Sequence, residues 1–198
     1  MPELPEVEVL RRSLETRVCG RRIEAVRVWS SALREPVNGQ KLRRRLVGRL
    51  ILGSERRAKY LLLPVEEGST LVVHLGMSGR LTLADRAEPR QAHEHVGVFL
   101  DSGQRLRFRD PRRFGLVLAL PTSKLAEDRH FRHLGVEPLE DSFSGEVLSR
   151  RAEGRRGPVK SFLMDSRIVV GVGNIYASEA LFKAGVHPRR SVARISKA

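Results

Sequence analysis

Residues 95–110 read HVGVFLDSGQRLRFRD, two runs rich in Val, Leu and Phe on either side of Asp101-Ser102-Gly103. Apolar β-type runs interrupted by a short Asp/Ser/Gly segment predict a hairpin with a tight turn. Six further runs of the same kind surround it: IEAVRVW (23–29), LILGSE (50–55), KYLLLPV (59–65), TLVVHLGM (70–77), GRLTLA (79–84) and FGLVLAL (114–120). They are punctuated by Gly, Pro, Asp and Ser, and many short strands with frequent turn residues predict an antiparallel β-sandwich.

Outward from this block the periodicity changes. On the N-terminal side, Val7, Leu10, Leu14 and Val18 recur at helical spacing and Gly20 is placed to stop the helix. From Ser123 onward, SKLAEDRHFRHLG, SGEVLSRRAEG, PVKSFLMDS and GNIYASEALFKAGVHP each read as helices closed by Gly or Pro. Pro138, acids, serines and glycines cluster in GVEPLEDSFSG (135–145) and mark the boundary. The expected fold class is therefore α+β, with a leading helix and β-sandwich over 1–136 and a helical module over 137–198.

Composition narrows the partner. The 198 residues carry 37 Lys and Arg against 23 Asp and Glu, a net charge of +14 spread as short clusters such as RRAEGRR and HPRR. A basic patchwork suits a polyanion, because each phosphate neutralised releases counterions. Only six of the cations are lysines, so each lysine is informative. One cysteine excludes an internal disulfide framework and a multi-cysteine zinc site. The acidic start without a long apolar run predicts no secretory signal and no membrane span, hence a soluble protein of a reducing, cytoplasmic compartment.

The N-terminal PELPEVE is a well-made helix start: Pro2 and Pro5 suit the first turn, and Glu3, Glu6 and Glu8 put negative charge at the positive end of the helix dipole. It is also a source of chemistry. With Met1 removed, Pro2 offers a secondary amine able to form an iminium with a sugar C1′ and cut a base from its sugar. The helix terminus lowers that amine's affinity for a proton, and Glu3 and Glu6 raise it. Lys59, between ERRA and YLLL, reads either as a half-buried strand lysine or as a functional cation. Asn174 opens a predicted helix, where it serves as an N-cap or as part of a phosphate cradle. His93 and His95 lack the companion ligands of a metal site, so no metal residue is assigned.

PELPEVE, RRAKYLLL, HLGMSG, DPRRFG and VVGVGNIYASEALF, in this order along the chain, resemble the motifs of the formamidopyrimidine-DNA glycosylases. The resemblance implies a bifunctional base-excision glycosylase and AP lyase acting on oxidised purines. In it Pro2 is the Schiff-base nucleophile, Glu3 the general acid, Glu6 a supporting carboxylate and Lys59 a phosphate-holding, catalytic lysine. Met77, Arg112 and Phe114 resemble the wedge that replaces a flipped nucleotide, which fits the cost of unstacking a base. Lys160 and Asn174 match backbone-contacting positions, and His74 and His93 are assigned to DNA approach. The implied partner is damaged double-stranded DNA, met by a bacterial, nucleoid-associated monomer. No cofactor is implied for the chemistry. The family's structural zinc belongs to a four-cysteine finger that follows further helices, and this sequence has neither, so the helix-two-turn-helix module is read as incomplete. That departure predicts either a piece of a longer enzyme or a shortened product, with Leu181, Phe182 and Val186 left uncovered. Two other readings stay open: a non-catalytic lesion-binding protein, and an endonuclease VIII-like enzyme for oxidised pyrimidines, against which PEL and the Arg-x-Phe wedge speak.

Overall fold

The structure is a computed structural model that describes residues 2–195. The elements are, in order, α1 (Leu4–Val18), β1 (Ile23–Val28), α2 (Gly39–Leu46), β2 (Glu55–Arg57), β3 (Tyr60–Val65), β4 (Ser69–His74), β5 (Arg80–Asp85), β6 (Glu94–Leu100), β7 (Gln104–Arg109), β8 (Leu116–Pro121), α3 (Gly145–Ala152), α4 (Val159–Met164) and α5 (Asn174–Lys183). The strands form two four-stranded antiparallel sheets, ordered β1-β6-β7-β5 and β2-β3-β4-β8. The α+β class and the antiparallel sandwich are thus as the sequence implies.

The 95–110 hairpin explains itself by period two. Val96, Val98 and Leu100 on β6 and Leu106 and Phe108 on β7 enter one apolar core with Leu61, Leu63, Leu71, Val73 and Val117. Phe99 alternates to the opposite face, where the guanidiniums of Arg27, Arg86 and Arg105 lie 5.0–5.6 Å from its ring centre. Glu94, fully buried, pairs with Arg105 Nε at 3.3 Å and Arg107 Nε at 3.2 Å, so charges inside a sheet neutralise one another. Gly103, at φ +76, turns the chain at the predicted position.

Helix α1 presents Val7, Leu14 and Val18 to this core, with Leu10 at its edge, and Gly20 at φ +74 ends the turn after it. Three local expectations change. Residues 39–46 form a helix, capped by Asn38 Oδ1 accepting from Lys41 N at 2.8 Å, whose Leu42 and Leu46 join the core. The LILGSE stretch makes only isolated bridges at Leu50 and Ile51 before β2. The helix expected over 123–135 does not form. A short 3-10 turn at Thr122–Lys124 gives way to turns, because Asp128 Oδ1 accepts from His130 N at 3.0 Å and competes with a helical ladder.

The chain divides into two compact units, residues 6–126 with the first two residues, and residues 127–198 with Glu3–Pro5. The division falls ahead of the 136/137 boundary read from composition. Residues 127–136 side with the helices because Phe131 is buried, Gly135 N donates to Ser166 O at 2.8 Å and Val136 bridges Val169 in parallel. The second unit has its own small core of Val159, Phe162, Ile168, Leu181 and Val192. Leu181 is therefore buried and Val186 packs against this cluster, contrary to the expectation that both lie uncovered, whereas Phe182 is 85% exposed. Among the described residues no helix is long and apolar enough to cross a membrane.

Candidate active site

Pro2 is half-buried and directly precedes Glu3; Met1, whose loss the amine chemistry requires, lies outside the described residues. Glu3 is 1% exposed. Its Oε2 accepts from Gly173 N at 2.8 Å and Tyr176 N at 3.2 Å, and its Oε1 accepts from Ile175 N at 2.9 Å. These are the orphan donors of the α5 N-terminus, aimed as they are aimed at any anion. Leu4 N donates to Gly171 O at 3.0 Å in the same loop. The glycines of VGVG are what make the approach possible. A Cβ on Gly173 would stand 2.5 Å from Glu3 Cδ and Oε1, and one on Gly171, already at φ +79, would stand 2.5 Å from Leu4 Cβ. The N-cap of α5 is Gly173, with no side-chain cap of its own. Asn174 is thus not the cap but the first helical residue, and it is exposed.

In the first unit, the HLGMSG and DPRRFG loops are built as one object. Asp110, fully buried, accepts from Ser78 Oγ at 2.6 Å through Oδ1 and from Gly115 N at 2.7 Å through Oδ2. Ser78 Oγ in turn accepts from Arg112 N at 3.2 Å, and Arg113 takes a left-handed φ of 61°. Gly76, at φ +64, lies so close that a Cβ would meet Phe114 C at 2.4 Å. The result is that Met77 and Phe114, each 43% exposed, stand out of the sandwich, with the Arg112 guanidinium 5.0 Å from the Phe114 ring centre. Held out on locked loops, these apolar side chains are accessible to a ligand.

The two assigned histidines differ. His74 is only 9% exposed, its Nδ1 accepts from Gly76 N at 2.9 Å and its ring lies 4.7 Å from that of Tyr60, so it shapes the Met77 loop from within. His93 is exposed, at φ 61°, and its carbonyl accepts from Asp110 N at 3.0 Å. His95, buried, meets Asp110 O through Nε2 at 2.9 Å.

Lys59 occupies the two-residue turn Ala58-Lys59 between β2 and β3, rather than a strand. Glu6 is exposed in the first turn of α1. Glu8, one of the residues read as plain helix-start charges, is a hub: it accepts from Arg11, Arg12 and Arg56, the closest at 2.9 Å. Burial pushes its carboxyl up, but those hydrogen bonds outweigh burial and hold it at about 2. In the second unit, Lys160 Nζ donates to Ser178 Oγ at 2.9 Å and Ser178 Oγ donates to Asn174 O at 2.8 Å, which links the two assigned contact residues through α5.

Sequence reasoning thus missed Asp110, Arg56 and the exact duty of Gly171 and Gly173. An aspartate heading DPRRFG was a visible signal for the first. The glycine pair had none beyond its spacing. For a structural zinc, the residues do not fit: Cys19 is the one cysteine of the sequence, and no group of three potential ligands exists among the described residues.

A sandwich presenting an apolar and cationic hook, and a helical unit in which the N-terminus of α5 holds a buried carboxylate, together define a two-module class of protein. The family described as formamidopyrimidine-DNA glycosylase N-terminal domain matches residues 1–117, and the formamidopyrimidine-DNA glycosylase H2TH domain matches 134–198. The formamidopyrimidine-DNA glycosylase of Stutzerimonas stutzeri is 51% identical over 203 residues, and that of Pseudomonas aeruginosa strain LESB58 is 52% identical over 200. Each match covers 100% of this chain and 72% of the relative. Among solved structures, Lactococcus lactis Fpg bound to abasic-site DNA superposes with a TM-score of 0.91 at 29% identity, over 98% of this chain and 71% of that one. The same protein with Fapy-dG DNA gives 0.91 at 29%, over 98% and 73%. The chain belongs to the formamidopyrimidine-DNA glycosylase family.

Proposed function

We propose that the chain is a DNA glycosylase of base-excision repair that removes oxidised purines, 8-oxoguanine and formamidopyrimidines, and then nicks the strand as an AP lyase. Family membership supports the glycosylase. The lyase rests on the chemistry of the N-terminus. Unprotonated Pro2 nitrogen attacks C1′ of the damaged nucleotide, the C1′–N bond to the base breaks, and the base leaves with a proton. The ring opens as O4′ takes a proton, for which Glu3 is the adjacent carboxyl, and C1′ becomes the carbon of an iminium with Pro2. Loss of the C2′ proton then expels the 3′ phosphate, a second elimination expels the 5′ phosphate, and water frees Pro2.

In this reading Glu6 supports the acid, Lys59 holds a phosphate beside the lesion, and Met77, Arg112 and Phe114 fill the space of the extruded nucleotide. Lys160 and Asn174 take the backbone near it, with His74 and His93 on the same strand's approach. All of these groups are the chain's own, so the chemistry calls for no redox cofactor or metal. The protein acts as a monomer on damaged duplex in the bacterial cytoplasm, at the nucleoid.

The observation that carries this reading is Glu3: a carboxylate next to Pro2, 1% exposed, held by three backbone amides in a loop that only glycines permit. Borohydride trapping on an abasic duplex tests it, with Met1 loss checked by intact mass. A covalent adduct that disappears in Pro2→Gly is the expected result; no adduct from the unaltered chain rejects the lyase.

A further inference from the structure

We propose that Glu8 and Arg56 are positioning residues that set the turn carrying Lys59 against helix α1, an inference that rests on the role of Lys59 given above. Arg11 and Arg12 are ordinary helical partners of Glu8, at i,i+3 and i,i+4. Arg56 is not: it comes from β2, 48 residues away, with its side chain 8% exposed. Its fork is used in two directions. Nε donates to Glu8 Oε2 at 3.1 Å, and Nη1 donates to Ala58 O at 3.0 Å. Ala58 is 4% exposed and sits at φ 54°, a left-handed conformation that a non-glycine residue holds only when its surroundings impose it. The next residue is Lys59.

The same helix also grips the other end of β2. Arg11 Nη1 donates to Ser54 O at 3.0 Å and Ser54 Oγ donates to Arg11 O at 3.2 Å. A three-residue strand, too short to be rigid alone, is thus tied at both ends to the helix that begins just after Pro2. A lysine cannot replace Arg56 here, because an ammonium lacks the planar fork that serves both acceptors.

The test is single-turnover release of 8-oxoguanine by Glu8→Gln, Arg56→Lys, Lys59→Ala and the doubles with Lys59→Ala, beside hydrogen exchange of residues 55–62. Glu8→Gln and Arg56→Lys are expected to slow release about 10- to 100-fold, as small misplacements of a reacting group do. They should loosen exchange over 55–62 and add nothing in the Lys59→Ala background. Arg12→Gln, which removes an exposed partner of Glu8, should leave the rate unchanged. If Lys59→Ala is slow while the two variants are fast, or if their losses add fully to that of Lys59→Ala, the positioning role is overturned. If Lys59→Ala turns over like the unaltered chain, or the unaltered chain releases no base, the reading of Lys59 fails first and takes the proposal with it.

Discussion

Gly173→Ala is the sharpest perturbation available. The backbone there, at φ −128°, is open to alanine, so only the contact is at stake. The new Cβ would stand 2.5 Å from Glu3 Cδ and Oε1, nearly 1 Å inside ordinary carbon contact. Glu3 must withdraw by about that much, which takes bonds of 2.8, 2.9 and 3.2 Å out of hydrogen-bonding range. A hydrogen bond to a charged group contributes about 1.5–3 kcal/mol, and at 1% exposure water does not replace it. Losses within one cluster are not additive, so the net cost is about 3–5 kcal/mol. Urea unfolding followed by tryptophan fluorescence and far-UV circular dichroism measures it, with an unchanged m value as the check that the unfolded state is the same. Borohydride trapping of the same variant should fall about 100-fold, the scale of a displaced general acid. A loss under about 0.5 kcal/mol with trapping intact would mean that the amides of α5 do not hold Glu3, and the account of the site would have to be rebuilt.

Asp110→Ala leaves Ser78 Oγ and Gly115 N without their buried acceptor and should cost about 2–4 kcal/mol in thermal unfolding, while abolishing the preference for lesion over intact duplex in competition binding. Met77→Ala combined with Phe114→Ala, each 43% exposed, should change stability by less than about 1 kcal/mol yet slow base release at saturating DNA; equal slowing with a lesion already unpaired would argue against a wedge. Acid titration reads Glu8. Its carboxyl sits at about 2 rather than the ordinary 4.5, so its stabilisation is complete above about pH 4.5 and is lost as pH falls toward 2. The stability gap between the unaltered chain and Glu8→Gln should therefore be largest near neutrality, on the order of 3 kcal/mol, and close between pH 4.5 and 2; a gap independent of pH contradicts the arginine cluster.

The sequence by itself determined the sandwich, the leading helix and three of the four later helices, because periodicity and turn residues act over a few neighbours, as in HVGVFLDSGQRLRFRD and its Gly103 turn. It also singled out Pro2, Glu3, Lys59 and the Met77, Arg112 and Phe114 set as candidates, through residue types in fixed local words. It misjudged 123–135, where Asp128 turned a helical pattern into turns, and it passed over α2, whose apolar positions Leu42 and Leu46 are only two within an arginine run. What tertiary structure alone decided is which acid meets which donor. Glu3 finds amides 170 residues away, Glu8 finds Arg56 across 48, and Asp110 joins two loops 32 residues apart. A buried carboxylate must be hydrogen-bonded, but nothing in its neighbours along the chain names the donor; only the folded backbone brings that donor into hydrogen-bonding distance.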